Sequence, residues 1–134
     1  MSHILLIEDN QHNADYIIRI LKGIGHEVEH HLKGLDGARA ARQRRPDMIL
    51  LDFNLPDVDG NVLVLTLKKH LGGPDAAPPI IAVTARNSSI DRQLAQKFGF
   101  DAFIGKPFEP HELVETVKAL LPTEVPNEES SPPE

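Results

Sequence analysis

Three short apolar runs constrain this chain most: residues 3–7 (HILLI), 47–51 (DMILL) and 79–84 (PIIAVT). Each has the length of a strand, and none alternates with polar residues as a half-exposed strand does, so they predict central strands buried on both faces. None approaches the roughly 18 to 20 apolar residues that a membrane-spanning helix needs. Two further segments are weaker. Val28, His30 and Leu32 alternate with polar neighbours, which suits an edge strand, and Ala102, Phe103 and Ile104 form a short fifth one.

Helix patterns fill the gaps between these strands. Ala14, Ile17, Ile18 and Leu21 recur at i, i+3, i+4 and i+7, and Leu113, Val114, Val117, Leu120 and Leu121 do likewise. A third helix is expected through Leu35, Ala38 and Ala41 up to Pro46, and a fourth from Val62 to Leu71, ended by Gly72-Gly73. Ser88-x-x-Asp91 has the form of a capping box, opening a helix that stops at Gly99. Every strand is thus followed by a helix. Parallel neighbours need a helix-sized return, so five such units predict an α/β fold: a doubly wound parallel sheet with right-handed crossovers and five helices.

The last 13 residues, 122–134, hold four Glu, four Pro and no basic residue. Such a segment, with a single Val, cannot bury enough apolar surface to offset its ordering entropy. It is expected to be an acidic, Pro-rich disordered tail or linker stub, with the folded domain spanning 1–121. Removing its four Glu from the 20 acids leaves 16 against 14 bases, so the net charge of −6 falls to −2 for the domain. The arginines 39, 42, 44 and 45 cluster near a helix end, where the helix dipole and solvent account for them, and nucleic acid is not expected as a partner. There is no cysteine, which excludes disulfides, thiolate metal sites and cysteine nucleophiles. The first ten residues reach carboxylates by position 8 and carry neither a basic n-region nor a cleavage site, so the expected location is cytoplasmic.

In a doubly wound sheet, ligands gather at the carboxyl ends of the strands. Here those ends are polar: Glu8-Asp9 after the first run, Asp52 after the next, then Thr84, and Lys106-Pro107 after the last strand. Three carboxylates at one edge would repel and raise one another's pKa unless a cation neutralised them, and hard oxygen donors suit Mg²⁺. Magnesium takes few protein carboxylates and favours phosphate oxygens, so the cluster predicts a phosphorylated ligand or intermediate, with Thr84 and Lys106 facing the phosphoryl oxygens. The histidines at 3, 12, 26, 30, 31, 70 and 111 show no metal-ligand spacing and are expected to be structural or solvated.

In order and spacing these residues resemble the response-regulator receiver domain of two-component signalling over positions 3–121, in its single-domain form. The resemblance implies a flavodoxin-like sheet in the order 2-1-3-4-5. It implies Asp52 as phosphoacceptor, Glu8 and Asp9 as the acidic metal pair, the Asn54 main-chain carbonyl as a further ligand, and Thr84 and Lys106 as phosphoryl ligands. Asn54-Leu-Pro-Asp57-x-Asp59-Gly60 continues the family's loop after the acceptor; Asn54 also suits a turn, Asp57 and Asp59 suit caps on the next helix, and Gly60 relieves crowding. Ala85 matches the small residue after Thr84, and Lys106-Pro107 resembles the family's cis peptide. Phe103 stands at the switch position, where its ring needs no hydrogen-bond partner when buried. By the same resemblance Asn54 and Arg86 occupy the positions that tune phosphoryl lifetime, the alternative for Arg86 being a charge that points to solvent.

The same resemblance implies a phosphorylatable signalling domain, which catalyses its own phosphoryl transfer and slow dephosphorylation and changes protein contacts. Its phosphodonor would be a sensor histidine kinase or a histidine phosphotransfer protein. A receiver excised from a longer regulator fits as well, with 122–134 as truncated linker. A haloacid-dehalogenase-type phosphatase would require Asp-x-Asp where Asp52-Phe53-Asn54 stands, and a P-loop would require G-x-x-x-x-G-K-[ST] where Glu8-Asp9-Asn10 stands. A homodimer is possible, but the face used by the transcription-factor branch is incompletely charged: Asp101 and Glu112 resemble two of its acids, while Thr116 stands where Arg is usual. Any homodimer is therefore expected to be weak or to use another surface.

Overall fold

The computed structural model describes residues 2–121, and the tail expected over 122–134 lies outside the described residues. Five strands, β1 (His3–Ile7), β2 (Glu27–His31), β3 (Met48–Leu51), β4 (Ile80–Thr84) and β5 (Ala102–Gly105), alternate with helices α1 (Gln11–Gly23), α2 (Gly34–Gln43), α3 (Gly60–His70), α4 (Ser89–Phe98) and α5 (Pro110–Leu120). All neighbours pair in parallel, in the order β2-β1-β3-β4-β5. The three continuous apolar runs are the three central strands, and every residue of β1, β3 and β4 is buried. The weaker segment β2 sits at one edge, as its alternation predicts. No helix among the described residues is long and apolar enough to cross a membrane.

Alternate residues of each strand feed two cores. Ile4, Leu6, Met48, Leu50, Ile81 and Val83 meet α1 and α5 on one face, while Leu5, Ile7, Ile49, Leu51, Ile80 and Ala82 meet α2, α3 and α4 on the other. This period-2 division between two covered faces is what makes the strands read as unbroken apolar runs.

Two helix faces depart from the expected ones. In α2, Leu35 is 55% exposed, and the buried positions are Gly34, Gly37, Ala40 and Ala41. Small residues let the helix lie close to the sheet: a Cβ on Gly37 would overlap the Ile7 side chain. In α3 the helix begins at Gly60, and Val62 faces outward while Gly60, Asn61, Leu63, Val64 and Leu67 are buried. The helix α4 starts with the expected Ser88/Asp91 capping box and ends at Gly99, whose φ of 114° only glycine adopts readily.

Candidate functional site

The loops at the carboxyl ends of β1, β3, β4 and β5 bring the expected residues together. Glu8 follows β1 directly and remains under the sheet edge: its N–H donates to His31 O at 3.1 Å, and its carbonyl accepts from His30 Nε2 at 2.8 Å. The Glu8 side chain is buried, whereas Asp9 turns to solvent. Asp52 follows β3, its N–H donating to Ile7 O at 3.3 Å across the gap between the two central strands. One carboxylate oxygen from each of Glu8, Asp9 and Asp52 lies within 4.8 Å of the others. Three hard anionic oxygens at this spacing suit a small divalent cation.

Lys106, at the end of β5, reaches into the same place. Its Nζ donates to Glu8 Oε1 at 2.6 Å and to Asp52 Oδ2 at 2.9 Å, and the Lys106–Pro107 peptide is cis. Burial alone would lower the Lys106 pKa, but hydrogen bonds and charge from the two carboxylates outweigh it and hold the ammonium above its ordinary value. Burial pushes the Glu8 carboxyl up from 4.5; the Lys106 and Asn10 bonds pull it back, and nearby Asp52 pushes it up again. The two groups are raised for different reasons: burial outweighs the Lys106 contact at Glu8, whereas at Lys106 two carboxylates together outweigh burial.

Thr84 closes the site from β4, fully buried, its Oγ1 accepting the Arg86 N–H at 3.1 Å. That leaves the hydroxyl proton to be donated elsewhere. The Asn54 N–H donates to Asp52 Oδ1 at 3.2 Å, so each acceptor oxygen of Asp52 has one partner, Asn54 or Lys106. Gly60 is required here: a Cβ would lie 2.5 Å from the Asp52 carbonyl oxygen and 2.7 Å from Phe53 Cα. Asp59 caps α3, accepting from Asn61 N at 2.8 Å. Asp57 does not cap that helix. Its carboxylate instead accepts from Gly34 N and Leu35 N at the start of α2.

Phe103 is half-buried against the core face that holds α2, α3 and α4, edge-on to Phe53 at 5.8 Å between centroids, with the Arg92 guanidinium 4.5 Å from its own centroid. The Arg86 guanidinium pairs with Asp91 at 3.2 Å and lies 5.5 Å from the centroid of Phe53, the residue that follows Asp52. The two acids considered for a dimer face are engaged within the chain. Asp101 Oδ2 accepts from Lys68 Nζ at 2.7 Å and Ile80 N at 2.8 Å, and Glu112 accepts from Glu109 N at 3.2 Å.

Three contributors escaped the sequence. His30 holds the Glu8 carbonyl; the Arg92 ring contact depends on how α4 meets β5; and Asp57 serves a helix 22 residues upstream of it. Only the last had a local trace. Lys33 precedes α2 and has no side-chain oxygen to cap it, so the helix must find its acceptor elsewhere.

Comparison with known proteins agrees with this arrangement. The chain is 36% identical over 116 residues to the transcriptional regulatory protein CreB of Escherichia coli K12, covering 87% of this chain and 49% of CreB. It is 33% identical over 120 residues to the polar-differentiation response regulator DivK of Brucella anthropi, covering 88% and 94%. The chain spans about half the length of CreB and of the similar GltR of Pseudomonas aeruginosa. Among solved structures, the receiver domain of a Pseudomonas aeruginosa PAO1 sensor histidine kinase, described with a magnesium ion coordinated in its active site cleft, superposes with a TM-score of 0.80 at 32% identity, covering 89% of this chain and 96% of that one. A CheY-like receiver domain protein of Methanospirillum hungatei JF-1 gives 0.80 at 28%, covering 89% and 92%. The sequence profile of the response regulator receiver domain matches residues 4–118. That stretch runs from β1 into α5 and takes in everything between, so the chain belongs to the response regulator receiver domain family.

Proposed function

We propose that this domain accepts a phosphoryl group on Asp52 from a phosphohistidine of a sensor histidine kinase or phosphotransfer protein, and that the phosphorylated form presents altered protein contacts. The observation that carries this is the grouping of Glu8, Asp9 and Asp52 within 4.8 Å, with Lys106 bonded to the acceptor. Mg²⁺ fits the donor set: Glu8, Asp9 and Asp52, with the Asn54 carbonyl, would hold it, and when bound it would offset negative charge on the phosphoryl oxygens.

The chain's own groups do the rest. An Asp52 carboxylate oxygen attacks phosphorus in line with the departing imidazole nitrogen; the P–N bond breaks as the acyl phosphate P–O bond forms, and the electron pair leaves with the imidazole. The Lys106 ammonium, already positioned, stabilises the developing charge, and the Thr84 hydroxyl donates a directional hydrogen bond. Movement of Thr84 toward the phosphoryl group opens space for Phe103 to turn inward, away from Arg92, which reshapes the surface where α4 meets β5. Asn54 and Arg86 tune how fast water removes the phosphoryl group. Mass spectrometry after exposure to acetyl phosphate and Mg²⁺ tests the reading. An adduct of one phosphoryl group is expected in the wild type and not in Asp52→Asn or without the metal; an adduct that persists in Asp52→Asn assigns the acceptor elsewhere.

A further inference from the structure

We propose that Asp57 is a positioning residue for Asp52: it clamps the loop after β3 onto the N-terminus of α2 and so holds the Asn54 amide that orients one oxygen of the Asp52 carboxylate. This rests on the reading of Asp52 as a metal-bound phosphoacceptor.

A helix leaves its first N–H groups without intrahelical partners, and at the N-cap of α2 Lys33 offers no side-chain oxygen. Asp57 supplies both acceptors, Oδ1 to Gly34 N at 2.8 Å and Oδ2 to Leu35 N at 2.9 Å, and puts a negative charge at the positive end of the helix dipole. The contact is packed as well as bonded. A Cβ on Gly34 would overlap Val58 and lie 3.1 Å from Leu55 Cδ1, so the loop tip lies directly on the helix start.

The base of the same loop is closed independently. Gly60 N donates to Phe53 O at 2.9 Å, Asn54 and Asp59 form an antiparallel bridge, and Asp59 caps α3. The loop is therefore tied to the sheet and α3 at its base and to α2 at its tip, and the Asp57 carboxylate is the polar link at the tip. Inside the loop, the Asn54 N–H donates to Asp52 Oδ1. With Asp57 removed, Gly34 and Leu35 turn to water, the tip is untied, and the Asn54 donor no longer has one position. The Asp52 oxygens then lose their fixed aim at a cation that demands near-ideal geometry, while Lys106 and Thr84, which carry the transfer itself, are untouched.

The test compares the full chain as wild type, Asp57→Ala and Asp57→Asn, measuring the half-saturating Mg²⁺ concentration directly by titration calorimetry without phosphodonor and again from formation of the Asp52 adduct from acetyl phosphate across a Mg²⁺ titration. Asp57→Ala is expected to raise the half-saturating Mg²⁺ concentration roughly tenfold, as loss of an outer-shell partner does, with the maximal rate at saturating Mg²⁺ within about twofold of wild type. Asp57→Asn keeps one acceptor oxygen and is expected to fall between the two. Circular dichroism identifies folded variants, and if Asp57→Ala does not fold, Asp57→Asn decides on the same split. An unchanged half-saturating concentration in a folded variant that merely melts earlier makes Asp57 a helix cap alone and overturns the proposal. A wild type with no metal-dependent adduct overturns the phosphoacceptor reading itself and the clamp with it.

Discussion

The buried Glu8 carboxyl carries the clearest electrostatic tension in the molecule. Burial raises its pKa above the ordinary 4.5, so over a window starting there the folded protein holds a proton that the unfolded chain has released. Stability from this group is complete below that pH and is lost as pH rises through the folded value. Lys106 is the main group pulling the other way. Lys106→Ala in metal-free buffer should therefore lose about 2 kcal/mol more than wild type between pH 5 and pH 8, less than for a fully buried broken pair because this site opens to solvent at Asp9. Urea midpoints at the two pH values check this, and equal losses in both proteins would reject Lys106 as the compensating charge. Arg86 poses a kinetic question at the same scale. Its guanidinium rests on Asp91 and Phe53, and it must leave Asp91 to cover the acyl phosphate. If it does so, Arg86→Ala speeds spontaneous phosphate loss by roughly threefold, under 1 kcal/mol of barrier. An unchanged decay of the adduct with Mg²⁺ saturating leaves Arg86 as an anchor for α4.

At the scale of elements, the start of α3 is the most tightly constrained junction. Gly60 lies against the Asp52 carbonyl and Phe53 Cα, backbone atoms that cannot swing aside as a side chain would. Gly60→Ala should lower stability by about 2 kcal/mol or more, despite alanine's better helix propensity, because the overlap must be relieved by moving α3 or the acceptor loop. Equilibrium denaturation measures this, and a neutral or stabilising outcome would show that the junction yields freely. Helix α2 illustrates the opposite case. Its buried face is built of Gly34, Gly37, Ala40 and Ala41, so its placement depends less on side-chain volume than on close approach to Ile7 and on the Asp57 cap.

For the molecule as a whole, two acids at the surface formed by α4, β5 and α5, Asp101 and Glu112, are bonded within the chain. Asp101 bonds Lys68 and the first amide of β4, which ties α3 to the sheet between two parallel strands. Its use inside the chain removes one of the acids that a symmetric α4–α5 dimer would draw on. Asp101→Ala is expected to destabilise the monomer by about 1 kcal/mol, a charged hydrogen bond discounted for its partial exposure, and to leave self-association unaltered. Sedimentation of the phosphorylated protein beside its denaturation midpoint separates the two effects, and a dimer lost in Asp101→Ala at unchanged stability would reverse the assignment.

The parts legible in the sequence are those that depend on local pattern. Unbroken apolar runs mean strands covered on both faces, the i, i+3, i+4 spacing means helices packed on them, and the residues just past each run fall at one sheet edge because parallel strands share a direction. Glu8, Asp9, Asp52, Thr84 and Lys106 can thus be found before any coordinates, because each stands at or just past the carboxyl end of its run and parallel strands bring those ends to one edge. What the tertiary structure decided was how polar groups far apart in the chain are paired. Lys106 could have bonded Asp52 alone, yet it also takes Glu8, 98 residues away. Asp57 could have capped the helix that comes after it, yet it caps the one before. Leu35 could have faced the sheet, yet the glycines and alanines of α2 do. Each of these turns on strand twist, helix approach and the need to satisfy buried donors and acceptors across elements, and none of those quantities is local to the residues that answer them.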